Sequence, residues 1–154
     1  MSAVILALLL QSTSVSGGLE VPRGVTPPAT AQVALLPLEY EKLFNAEVQK
    51  RLDDYWEEYK PAFARQKELF FQVMPEAYKA GLETVILRMR RDSKVNSANL
   101  IKNVPQGQFE FRGVAPGEYK LVAIANLRGS DYVWTEVLQV ESKPIFIQMK
   151  NRVP

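Results

Sequence analysis

The sequence predicts a mainly β protein: an antiparallel β-sandwich of the immunoglobulin or transthyretin type, interrupted by an inserted helical pair and so α+β overall. Three observations predict it. Short segments that alternate apolar and polar residues recur over positions 108–150, punctuated by Gly, Pro, Asn and Ser. Between positions 39 and 80 the apolar spacing changes to steps of three and four. The length, 154 residues, suits one hydrophobic core and is short for two.

Taken in order, the chain opens with an unbroken apolar run, Ala3 to Leu10. It has the length of an export-signal core and is too short to span a bilayer. Gln11 to Ser16 is polar, and Ser14-Val15-Ser16 offers small residues where a signal peptidase reads. A leader is therefore expected over 1–16 and a single domain over 17–154, with no membrane span in the mature chain. The alternative makes residues 3–10 a buried first strand. After a Ser/Gly linker ending in Gly17-Gly18, Leu19-Glu20-Val21 reads as a short strand. The Pro- and Gly-rich stretch 22–28 reads as a loop, and Ala31 to Leu38 as a second strand.

Tyr40, Leu43, Phe44, Val48, Leu52, Tyr55, Trp56, Tyr59, Phe63, Phe70, Val73 and Ala77 carry the helical spacing, with Glu, Lys, Gln, Arg and Asp between them. Pro61 should break or kink the pattern by removing a donor and crowding the carbonyl four residues back. Two helices are expected, about 39–59 and 61–73, with a helical turn near 75–80 and Gly81 as C-cap. The insertion then ends at 81. Thr84 to Arg90 alternates Val85, Leu87 and Met89 against Thr84, Ile86, Arg88 and Arg90 and reads as a strand. Segments 96–103, 108–112, 118–126, 131–140 and 144–150 complete the set.

The most specific stretch is Phe109 to Ala123. Phe109 and Phe111 share one strand face. Ala115-Pro116-Gly117-Glu118 reads as a type II turn, with proline at the first central position and glycine at the second. Tyr119, Leu121 and Ala123 resume the alternation, and Tyr119 is placed to send its hydroxyl to backbone at a sandwich corner. With Gly113, these residues define the turn. This stretch resembles the carboxypeptidase regulatory-like domain of the transthyretin-like (prealbumin-like) group, in the version found in bacterial secreted and outer-membrane proteins. The resemblance is firm over 104–125, extends to 19–38 and 132–149, and is absent over 39–83. It implies a sandwich that accompanies other proteins and does not itself catalyse. Pro105-Gln106-Gly107-Gln108 lacks the acidic residue that many relatives carry there, so no cation role is carried over.

Function classes narrow by composition. There is no histidine and no cysteine. Serine–histidine and cysteine–histidine nucleophiles, ordinary zinc sites and disulfides are therefore excluded. A net charge of +2, without basic runs, gives no reason to expect a nucleic-acid partner. No enzyme activity and no cofactor is expected. The expected role is an exported module, periplasmic, outer-membrane-associated or secreted, that contacts a protein. A carbohydrate-binding module is the alternative. Tyr55, Trp56, Tyr59 and Phe63 are the candidate contact residues, as a stacking platform or as packing of helices on a sheet. Arg88, Arg90 and Arg91 could meet an anion at a strand end, or blunt a sheet edge. Asp53, Asp54, Glu57 and Glu58 read as an ordinary solvated helix face.

Overall fold

The computed structural model describes residues 12–92, 100–150 and 152–153. Among these residues, seven strands and two helices follow in the order β1 (Thr13–Leu19), β2 (Thr30–Pro37), α1 (Leu38–Arg65), α2 (Glu68–Arg91), β3 (Ile101–Pro105), β4 (Phe109–Val114), β5 (Gly117–Leu127), β6 (Ser130–Val140) and β7 (Ile145–Met149). One sheet has the order β4-β1-β7 and the other β3-β2-β5-β6. The larger sheet is antiparallel throughout, whereas β1 runs antiparallel to β4 and parallel to β7. The predicted sandwich with a helical insertion is the observed fold.

The four-stranded sheet is apolar on both faces, which makes it the middle of three layers. Val33, Leu35, Leu121, Ala123 and Trp134 join Val15, Phe109, Phe111 and Met149 in the core between the sheets. Alternate positions on the same strands, Ala34, Leu36, Val122, Ile124 and Val133, pack against the helices. This explains why β2 and β5 contain unbroken apolar runs, since a strand covered on both sides has no solvent face to alternate toward.

The helical pair departs from expectation in extent. α1 continues through Pro61 and α2 through Pro75. Pro61 and Glu57 are exposed, so the carbonyl that loses its donor can bond water instead. The segment 84–90, expected as a strand, is the last part of α2, and the insertion runs to Arg91 rather than 81. Ala77, Gly81, Leu82, Val85, Ile86 and Met89 are its buried positions, a helical spacing, while Leu87 is 65% exposed. Gly81 is no cap. A Cβ there would stand 2.7 Å from Val48 Cγ2, so its missing side chain lets α2 approach α1. At the end of α2, the Tyr40 hydroxyl donates to Asp92 Oδ2 at 2.6 Å. Burial, followed by Asp92, pushes this tyrosine up to about 12.

The N-terminal segment departs as well. Thr13 to Ser16, expected within the leader, belong to β1, and Gly17-Gly18 lie inside that strand. A Cβ on Gly17 would collide with the Ile147 carbonyl and approach the ring of Phe109. Cleavage after Ser16 would remove buried Val15 and its pairing with Phe111 and Ile145. Of the expected strand 19–21 only Leu19 is in β1. The apolar run 3–10 lies outside the described residues, as does most of the expected start of β3.

β4 and β5 belong to different sheets, so Ala115-Pro116 is an arch between layers and not a hairpin. Gly117 has φ +153°, far from the value of about +80° that a type II turn needs at that position. Gly113, at φ +67°, falls where β4 carries an extra residue against β1, between the pairs Thr13–Val114 and Val15–Phe111. The corner tyrosine is as expected: the Tyr119 hydroxyl donates to the Ala115 carbonyl at 2.7 Å. Tyr119→Phe leaves that carbonyl without its partner and is expected to cost about 1–2 kcal/mol. Equilibrium urea unfolding of the two proteins measures this, and equal midpoints would contradict it.

Candidate binding surfaces on the helical hairpin

The base of the hairpin is fixed to the sheet by Tyr40, Phe44 and Val48 of α1 and by Ala77, Leu82, Val85, Ile86 and Met89 of α2. Lys120 of β5 seals the junction. Its Nζ donates to Asn45 Oδ1 at 2.8 Å and lies 5.4 Å from the Phe44 ring centre. Burial lowers the Lys120 pKa. Glu41 nearby is raised, first by burial and then by the Glu118 carboxylate. These are groups of the packing interface, where desolvation governs protonation.

No residue from Trp56 to Glu76 belongs to either core cluster. There the helices make an aromatic cluster of their own. Phe63 is its hub, 3% exposed, with Trp56 stacked on it at 5.8 Å and 20°. Phe70 meets Phe63 edge-on at 5.3 Å and Trp56 at 5.5 Å. Tyr59 approaches Phe63 at 6.1 Å, and Phe71 lies 6.4 Å from Phe70. Such offset and edge-to-face pairs suit the ring quadrupole. Trp56, Tyr59 and Phe71 nevertheless remain 41%, 46% and 48% exposed.

The four aromatic candidates therefore do not form one platform. Phe63 is interior to the tip, and Trp56 gives it one ring face. Tyr55, which also packs toward the sheet, and Tyr59 line a groove of about 330 Å³ between the helices. Ala62, Phe63, Leu69 and Val73 supply its apolar wall. The Tyr59 phenol is raised chiefly by the neighbouring Glu58 carboxylate. Phe70 and Phe71 escaped the sequence reading as contact residues; their signal was an adjacent aromatic pair at the start of a helix. Asp53 accepts from Gln49 Nε2 at 2.8 Å on an exposed face, as expected of a solvated acidic stripe.

Arg88, Arg90 and Arg91 sit in the last turn of α2, not at a strand end. All three are exposed, and their charge opposes the partial negative charge of the helix C-terminus. Gly113, Pro116, Gly117 and Tyr119 make the corner between the sheets and belong to the fold rather than to a binding surface. Among the described residues no helix is long and apolar enough to cross a membrane.

No protein-family model matches the sequence, and neither does any curated protein. Among solved structures the chain is similar to a "putative carbohydrate binding protein" from Pseudomonas aeruginosa. The identity is 15% over 97% of this chain and 95% of that one, with a TM-score of 0.37. It is also similar to the full-length major pilin RrgB from Streptococcus pneumoniae, at 13% identity over 92% of this chain, with a TM-score of 0.21. The match spans 31% of the pilin. At these TM-scores neither likeness bears on function.

Proposed function

We propose that this chain is a non-catalytic binding module, exported to the bacterial envelope or beyond it, that contacts a protein partner through the tip of its helical hairpin. One observation carries the reading: Trp56, Tyr59 and Phe71 stand half-exposed on a part of the hairpin that neither core contains. Exposed Trp and Tyr on a preorganised element are the residues most enriched among binding hot spots. The apolar groove beside them adds the kind of surface a protein segment covers.

Three further features support the rest of the reading. The missing histidine and cysteine favour a non-catalytic role. The apolar run 3–10 favours export, with processing before Thr13 so that β1 stays whole. The Tyr119 corner favours kinship with the carboxypeptidase regulatory-like group. Saccharide stacking on these same helical aromatics is the weaker reading, because Phe63 already covers one face of Trp56 and the neighbouring groove is walled mostly by aliphatic and aromatic side chains, with Gln72 and Glu76 on its α2 side.

A photo-crosslinking residue at position 59, expressed in the native host, tests the proposal. The expected result is a discrete protein adduct whose yield falls at least about tenfold with Trp56→Ala, the loss of roughly 1.4 kcal/mol or more that a hot spot implies. Adducts only with polysaccharide, or a protein adduct indifferent to Trp56→Ala, would overturn it.

A further inference from the structure

A second concavity, of about 640 Å³, lies where the start of α2 faces the β5–β6 turn. Phe71, Gln72 and Glu76 line it from the helix, and Ser130, Asp131 and Tyr132 from the turn. The volume is within the range of roughly 300–1,000 Å³ typical of small-ligand sites.

Its far wall is held in place by the turn. Arg128 and Gly129, at φ +53° and +83°, form the two-residue type I′ loop that suits twisted antiparallel strands. Asn126 closes it, accepting from the Gly129 amide at 2.9 Å and donating through Nδ2 to Asp131 Oδ1 at 3.2 Å. Lys79 of α2 reaches Asp131 Oδ2 at 3.9 Å, tying the helix to the turn. Behind Asp131, the Tyr132 ring lies 6.4 Å from that of Trp134 and 5.1 Å from the Arg152 guanidinium.

The chemistry of this cleft is mixed in a particular way. Two carboxylates, an amide and a hydroxyl present acceptors and donors across a gap, while Phe71 offers an exposed apolar ring. Around it, Glu76 and Asp131 are matched in charge by Lys79 and Arg152. An anionic ligand would meet two lining carboxylates, and a cationic one would compete with Lys79 for Asp131. A neutral molecule with many hydroxyls and an apolar ring face meets neither obstacle. We infer that the cleft between α2 and the β5–β6 turn is a binding site for a neutral oligosaccharide, with Phe71 under a sugar face and Gln72, Glu76 and Asp131 bonding its hydroxyls. This goes beyond the hairpin-tip reading: Phe71, Gln72 and Glu76 border both surfaces, while Ser130, Asp131 and Tyr132 belong to the cleft and not to the tip groove.

Backbone amide NMR titration of the whole protein tests it. The neutral probes are tetrasaccharides of β-linked glucose, of mannose and of N-acetylglucosamine; tetragalacturonate and spermidine are the charged ones. The expected result is saturable shifts at Gln72, Glu76, Ser130 and Tyr132 with at least one neutral probe, and weaker or no binding of the charged pair. Phe71→Ala should weaken that binding about tenfold or more, and Trp56→Ala should leave it unchanged. Gln72→Ala, at an exposed position, decides the matter should Phe71→Ala disturb the helix. Silence from all three neutral probes, tighter binding of a charged one, or shifts confined to other surfaces would each overturn the assignment. Loss of the partner adduct at position 59 would leave it standing.

Discussion

Trp134→Ala is expected to destabilise the protein by about 3–5 kcal/mol, the range for truncating a large buried aromatic. That is a large share of the roughly 5–15 kcal/mol that holds a typical domain together. The indole is fully buried and heads the large side chains that are so. It projects from β6 into the space between the sheets, and its Nε1 donates to the Glu20 carbonyl at 2.9 Å, just beyond the end of β1. One side chain thus fills the interlayer space and bonds the backbone of the other layer. Removing it opens a cavity and strips that carbonyl of its donor. Trp134→Phe should recover most of the packing term and retain a deficit of about 1–2 kcal/mol for the lost donor. Guanidinium unfolding followed by circular dichroism measures both. An alanine variant with a wild-type midpoint would mean that the indole does not bridge the layers.

What the sequence made legible was local. The alternation of Phe109 and Phe111, the corner tyrosine Tyr119 and the strands from 118 to 150 were readable because each signal lies within a few neighbouring residues. The failures involve information carried by distant partners. Gly17-Gly18 has a linker's composition, yet the neighbours that demand glycine at 17 are Phe109 and Ile147, far along the chain. The segment Val85 to Arg90 fits both periods: 85, 87 and 89 make a strand face, and 85, 86 and 89 a helical one. The close approach of Gly81 to Val48 and the burial of Val85, Ile86 and Met89 in the cluster beneath the helices go with the helical face. The arch at Pro116 reads in the sequence as a turn, because a turn within a sheet and an arch between sheets share the same Pro-Gly signal. For the candidate site, Trp56 and Tyr59 were legible as conspicuous rings on a polar helix. Phe70 and Phe71 were not, because their role depends on α1 passing through Pro61 and so placing the hairpin turn at 66–67.

Phe44→Ala should have a comparable effect, about 3–5 kcal/mol, and it tests how the hairpin and the sandwich are joined. Phe44 is fully buried at the point where α1, α2 and β5 meet. It has Tyr78 edge-on at 5.9 Å, the Lys120 ammonium over its ring, and the Gly81 backbone beside it. The sheet beneath exposes Ala34, Leu36, Val122, Ile124 and Val133 whenever the helices lift away, so neither layer can keep its buried surface without the other. In a Trp56→Phe background, where Trp134 of the sandwich is the sole tryptophan, helical circular dichroism and fluorescence should therefore fall together in the Phe44→Ala variant, in one transition at lower denaturant. Early loss of the helical signal with the fluorescence unmoved would show the hairpin to be a separately stable attachment. The distinction bears on binding. A partner held at Trp56 and Tyr59 pulls on a lever whose anchor is the base of the hairpin, and only a base that shares the sandwich core can hold those rings in a fixed place.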